Sequence, residues 1–228
     1  MEGSFPLRFV KGYPAVLRRK TLVIADLHLG IEREYWRAGV RASGLSARVV
    51  GELEGLLDAA RPKKVIVAGD FKHNVPDYTQ REAEDVRRVA EVLSSQGELI
   101  IVKGNHDGEI EKILVGAEVV SPGTVEDGVY VTHGHAHPSP DALGARAIVT
   151  GHVHPALALR HRFGRVLKKV YLLGEWEGVP ATVLPAFSPL ITGTDVGSSG
   201  DLMGPVAKGM RCVKAFLLDG TYVGEVVP

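Results

Sequence analysis

The chain has 228 residues, 45% of them apolar, and its 27 basic and 27 acidic side chains leave a formal net charge of zero at pH 7. That length suits one domain, residues 1–228, with a full core, and the balanced charge weighs against a dedicated duplex-DNA binder, which often carries a basic excess. No run approaches the ~18–20 apolar residues of a membrane span, no basic-then-apolar leader is evident, and a single cysteine, Cys212, excludes an internal disulfide. These features predict a cytoplasmic globular protein in which Cys212 is a small buried hydrophobe.

Residues 5–25 read as two short strands and then a third, with Pro14 confining the outer piece to a sheet edge. The third run, Thr21-Leu22-Val23-Ile24-Ala25, leads straight into Asp26-Leu27-His28. Residues 30–44 are mixed, and Tyr35 and Trp36 predict a helix packed by its aromatics rather than a cover over a site. From Ser46 to Ala60, Val49, Val50, Leu53, Leu56, Leu57 and Ala60 recur at helical spacing, and Pro62 stops the helix. Lys64-Val65-Ile66-Val67-Ala68 is a strand running into Gly69-Asp70. Thr79 with Glu82 three residues later is a capping-box signal. It opens a helix to about Ser95, with Val86, Val89, Ala90 and Leu93 as its buried stripe.

Leu99-Ile100-Ile101-Val102 leads into Gly104-Asn105-His106-Asp107, and residues 108–115 suit a short helix. Val129-Tyr130-Val131 leads into Thr132-His133-Gly134, and Ala147-Ile148-Val149 into Gly151-His152-Val153-His154. After His154 the pattern turns antiparallel. Strands are expected at 156–162 and 165–173 around Phe163-Gly164, then at 181–184. A hairpin of 214–218 and 222–226 turns at Asp219-Gly220. The basic segment from Arg160 to Lys169 is expected as a solvated hairpin with its cations outward. Residues 192–209, rich in Gly and Ser, read as a mobile loop rather than a lid.

Each of the five motifs follows a short β-branched apolar run of the kind that forms a buried strand. Side chains at the carboxyl ends of such strands share one sheet edge, where open α/β folds place their sites. The motifs bring together Asp, Asn and His. A carboxylate bridges two divalent cations, and imidazole nitrogens and an amide oxygen complete borderline-hard shells. This thiolate-free set fits Mn, Fe, Zn or Ni and not a closed structural zinc site. Asparagine occurs only at 74 and 105 and glutamine only at 80 and 96, so an amide inside a metal motif has a chemical task. Scarce amides beside abundant Arg, Glu and Val also resemble the composition of proteins from hot habitats.

Taken in order, Asp-x-His, Gly-Asp, Gly-Asn-His-Asp, His-Gly and Gly-His-x-His resemble the motif set of the calcineurin-like metallophosphoesterases. Asp26-Leu27-His28-Leu29-Gly30 resembles the opening motif of the double-strand-break-repair nucleases. The continuation through Glu34 and Gly39-Val40 is similar to the small ICC-like phosphoesterases related to them. The resemblance implies a four-layer αββα sandwich of two mixed sheets. It also implies two divalent metals, Mn the first candidate: one held by Asp26, His28, Asp70 and His154, the other by Asp70, Asn105, His133 and His152. By the family pattern His133, directly after its strand, is the ligand rather than His135 or His137. His106 is the expected non-ligand catalytic residue, with Asp107 either orienting it or capping the helix that follows. His73 is a candidate for substrate binding.

The implied reaction is hydrolysis of a phosphate ester by a dimetal-bound hydroxide, on a nucleotide, a nucleic-acid end or another small diester. A phosphoprotein phosphatase is the alternative enzyme, and a non-catalytic scaffold the alternative of another class. Little chain remains after His154 for a DNA-capping domain, and homo-oligomers are compatible with the sequence.

Overall fold

The computed structural model describes residues 7–40, 44–162, 164–199 and 202–227. The period-2 alternation of the buried strands dictates its layers. In chain order the first sheet is β1 (Arg8–Phe9), β2 (Val16–Arg18), β3 (Thr21–Ile24), β4 (Lys64–Ala68), β5 (Glu98–Val102) and β6 (Glu118–Val120), and its spatial order is the same. β3 to β6 run parallel, and β1 and β2 add an antiparallel edge. The parallel crossovers are α1 (Glu32–Arg37) with α2 (Leu45–Ala60), then α3 (Gln80–Ser94), then α4 (Ile110–Ile113).

The second sheet has nine strands. It comprises β7 (Gly123–Glu126), β8 (Val129–Thr132), β9 (Ala147–Thr150), β10 (Pro155–His161), β11 (Gly164–Trp176), β12 (Val179–Val183), β13 (Thr194–Asp195), β14 (Arg211–Leu217) and β15 (Tyr222–Glu225). Its spatial order is β13-β10-β11-β12-β9-β8-β7, with β14 pairing β11 and β15 pairing β14. Short helices α5 (Asp141–Gly144), α6 (Val196–Ser199) and α7 (Pro205–Lys208) lie along the connections.

Alternate residues then fall into three cores. Leu22, Ile24, Val65, Val67, Leu99 and Ile101 meet the stripes of α2 and α3. Their neighbours Val23, Ile66, Ala68, Ile100 and Val102 face Val129, Val131, Ala147 and Val149 of the second sheet. On that sheet's far side Tyr130, Ile148, Leu172, Ala181 and Val183 pack with Ala142, Val196, Val206 and Ala207. The result is the expected αββα sandwich, with a thin fourth layer of short helices. Every position of the two expected stripes is buried. No helix among the described residues is long and apolar enough to cross a membrane.

Four local expectations need correction. Cys212 is exposed, with a left-handed φ of 53°, because β14 turns Val213 inward. Of the two aromatics in α1, only Tyr35 packs inward, donating its hydroxyl to the Leu190 carbonyl at 2.9 Å. Trp36 is 47% exposed. Residues 192–209 hold β13, α6 and α7, anchored by buried Val196, Leu202, Val206 and Ala207, although residues 200–201 lie outside the described set. Apolar side chains spaced among the glycines decide that outcome.

The fourth correction is Lys169. The side chains of Arg160 and His161 lie outside the described set, and Arg165 pairs with Asp195 as a solvated hairpin predicts. Lys169 instead turns its ammonium inward, donating to the carbonyls of Ala186 and Ser188 at 2.6 and 2.7 Å. Burial pushes it down from 10.5 to about 8. Between those values the unfolded chain binds a proton that the folded chain does not, so stability rises with pH across that window. The thermal midpoint of the wild type should therefore gain on that of Lys169→Met between pH 8 and pH 10.5. A relative loss would contradict the inward amine.

Candidate metal centre

The turns that follow β3, β4, β5, β8 and β9 carry all five motifs to one region. Asp26 and His28 follow β3, Asp70 follows β4, Asn105 and His106 follow β5, His133 follows β8, and His152 and His154 follow β9. Five of the seven expected ligand residues have left-handed backbone: Asp26 (φ 58°), His28 (45°), Asp70 (50°), His152 (70°) and His154 (50°). Such conformations cost about 1–3 kcal/mol each for a non-glycine residue and persist only where the surroundings over-determine them. Here the turns are stapled to one another. The Asp26 amide donates to Gly69 O at 3.1 Å, that of His28 to Asp70 O at 2.9 Å, and that of Gly151 to His133 O at 2.9 Å. Glycine is required where the turns touch. A Cβ on Gly69 would collide with the His133 ring, and one on Gly104 with the Asp70 carboxylate and amide.

Among the described residues three groups of ligand atoms result, the atoms of each within 4.8 Å of one another: His28, His73 and His106, and two further groups that share a carboxylate. The first of that pair is Asp26, His28, Asp70 and His154; the second is Asp70, His133 and His152. Asp70 belongs to both. Its Oδ2 lies 3.5 Å from His28 Nε2 and 3.3 Å from His133 Nε2. Asn105 joins the second group, its Oδ1 lying 3.2 Å from His133 Nε2. His154 Nε2 lies 3.3 Å from Asp26 Oδ1 and 3.3 Å from His28 Nε2. The rings are oriented from behind, since His133 Nδ1 meets the Ala68 carbonyl at 3.0 Å and leaves Nε2 for the cluster. His135 and His137 are exposed, so the inner histidine of that turn is His133.

Electrostatics describe a cradle for cations. Burial holds His28 down at about 3, although Asp26 and Asp70 pull it up. Burial and the His133 charge hold His152 near 4. Both imidazoles therefore stay neutral, with a lone pair to offer. Burial also works against a charge on His133, but its hydrogen bond to Asp70 and the charges of Asp26 and Asp70 raise it to about 9. Burial likewise opposes ionisation of Asp70. The His133 hydrogen bond, the His133 and His28 charges and the His106 amide outweigh it and hold the carboxyl well below the usual range. Two carboxylates with almost no solvent contact thus draw positive charge inward. A divalent cation answers that demand better than one imidazolium does. The donor set therefore fits two divalent metals.

The remaining expected residues surround these groups. His106 meets the His73 carbonyl through Nδ1 at 2.5 Å, and its backbone amide donates to Asp70 Oδ1 at 2.9 Å. A carbonyl only accepts, so Nδ1 carries the hydrogen and Nε2 remains available. Asp107 does not touch that imidazole and does not cap α4. Its fully buried carboxylate instead accepts from the amides of Gly104 at 2.9 Å and Lys72 at 3.1 Å, clipping the β5 turn to the β4 turn. His73 is 9% exposed and stacks on His106 with centroids 5.0 Å apart.

Sequence reasoning missed two supporting side chains. Lys72 is fully buried and donates to the carbonyls of Asn74 at 2.6 Å and His106 at 2.7 Å. Glu82 turns away from the helix start, where Thr79 caps as expected. Its carboxylate accepts from the amides of His73 and Asn74 and from the Asn74 side chain. The one available signal was a charged residue, Lys72, directly after the buried strand turn.

Residues 20–174 match the family profile described as "Calcineurin-like phosphoesterase superfamily domain". No curated protein matches the chain. Among solved structures, the nuclease MPE of Pseudomonas putida superposes with a TM-score of 0.60 at 21% identity, over 90% of this chain and 89% of that one. Yfce, a phosphoesterase from E. coli, aligns more loosely, with a TM-score of 0.46 at 16% identity over 91% of this chain and 98% of that one. At 21% identity the likeness to the first of these is one of fold alone.

Proposed function

The chain belongs to the calcineurin-like phosphoesterase superfamily, and from that membership we propose that it is a dinuclear metal-dependent phosphodiesterase acting on small diesters such as nucleotides or nucleic-acid ends. The observation that carries this reading is the sharing of Asp70 by two groups of ligand atoms. In this reading Asp26, His28, Asp70 and His154 hold one cation, and Asp70, Asn105, His133 and His152 hold the other. Manganese is the first candidate, and the mix of carboxylate and amide oxygens with imidazole nitrogens, without thiolate, equally admits Fe, Zn or Ni.

Two bound divalent cations would supply Lewis acidity at the phosphoryl oxygens and bring water ionisation toward neutral pH. The chain's own groups do the rest. Asp70 would serve both positions from Oδ2, which lies 3.5 Å from His28 Nε2 and 3.3 Å from His133 Nε2, while the His106 amide holds its Oδ1. His106, in its imidazolium form, would give its Nε2 proton to the leaving oxygen and be left neutral, with its Nδ1–H still held by the His73 carbonyl. Asp107, Lys72 and Glu82 hold the turns that carry these groups. The diester preference rests on the resemblance of the first motif to nuclease motifs and on a net charge of zero, without the basic excess that duplex binders often carry.

A panel of phosphate esters tests this reading. Manganese-loaded protein should turn over small diesters, lose activity to a chelator and bind duplex DNA weakly, with strong salt dependence. Turnover of phosphoproteins without diester cleavage would sink it.

A further inference from the structure

A line of three side chains leads away from the first cation position to the surface. His28 directs Nε2 at the cluster and turns Nδ1 outward, 3.0 Å from His73 Nδ1. His73 in turn presents Nε2 to Glu34 Oε1 at 3.1 Å. Glu34 lies on α1, which Tyr35 ties to the Leu190 carbonyl. The His106 ring, stacked on His73, holds that imidazole from its face.

Hydrogen-bond chemistry allows one order of donors along this line. A carboxylate only accepts, so His73 Nε2 donates to Glu34. Neutral His73 then has a bare Nδ1, which accepts. His28 Nδ1 must therefore donate, and its Nε2 keeps a free lone pair facing Asp70 and His154. Without Glu34 the opposite order is equally good. His73 would then donate from Nδ1, and His28 would accept there and carry its hydrogen on Nε2, where a cation cannot bind.

We infer that Glu34 is a positioning residue which, through His73, fixes His28 as an Nε2 ligand and so tunes one cation position selectively. The inference rests on the two-cation reading above. Partners that orient a ligating histidine from outside typically contribute 10–100-fold to metal affinity. Only the position built from Asp26, His28, Asp70 and His154 should feel the change, because no Glu34 or His73 contact reaches the Nε2 of His133 or His152.

Calorimetric titration of the metal-free full chain with Mn²⁺ alone tests this. The side chain of Glu34 is 63% exposed, so its removal leaves no buried void. Wild-type protein should show two binding events. Glu34→Ala should weaken one, by about twofold where the two donor orders become equally populated and by at most about 10-fold through looser orientation of the ring, leaving the other and the metal-free melting temperature unchanged. Glu34→Gln keeps an accepting oxygen for His73 Nε2 and should lose less. Unchanged binding in Glu34→Ala would overturn the inference, as would equal weakening of both events. A third Mn²⁺ in the wild type that disappears in His73→Gln would also overturn it, because His28, His73 and His106 would then be ligands to a cation of their own. Wild-type protein that takes up fewer than two cations would overturn the two-cation reading itself, and this inference with it.

Discussion

Asp70→Asn should empty both cation positions at once. The carboxylate is 2% exposed, and its Oδ2 stands between His28 Nε2 and His133 Nε2 at 3.5 and 3.3 Å. Its Oδ1 accepts the His106 amide at 2.9 Å. An amide of the same shape must set its NH₂ group, which has no lone pair to offer, either toward the cations or against the His106 amide donor. The loss should exceed the 10–100-fold that removal of an outer partner costs, at both positions and in turnover. Asn105→Ala, by comparison, should empty only the second position. Metal analysis of both purified variants checks this. Retention of one full equivalent in Asp70→Asn would mean that the two groups do not share this carboxylate.

His106→Gln should separate two classes of substrate. If Nε2 delivers the leaving-group proton, esters with alkoxide leaving groups should lose about 10²–10⁴-fold. Nitrophenyl esters, whose phenolate is stable unprotonated, should lose much less. Metal content should stay at the wild-type level, because the His106 ring faces the His73 carbonyl and not Asp70. Equal losses on both substrate classes would assign His106 to electrostatic stabilisation of the phosphate. Loss of a metal would make it a ligand.

Much of this architecture was legible in the sequence because it rests on short-range signals. The stripes of α2 and α3 follow from helical spacing, and the buried strands from β-branched runs that end at the motifs. The clustering of Asp26, His28, Asp70, Asn105, His133, His152 and His154 follows from their place just after their strands, so strand order alone brings them to one edge. What escaped were partnerships made across space. Nothing local in Glu82 says that its carboxylate will leave a capping box to hold the backbone of His73 and Asn74. Nothing local in Asp107 says that it will clip two turns together rather than orient its neighbour His106. The burial of Lys72, the exposure of Cys212 and the burial of Val196 and Leu202 are likewise tertiary outcomes that no local spacing announces. Residues of one motif therefore lie together, while the partners of Asp107 and His73 are set by neighbouring turns.

The most direct test of the central claim is the metal content of active wild-type protein, measured by elemental analysis after removal of loosely bound ions. Two groups of ligand atoms meeting at Asp70 predict two divalent transition-metal ions per chain. They also predict that activity, lost to a chelator, returns only as the second equivalent is restored. Full activity with one ion per chain, or none, would contradict the account.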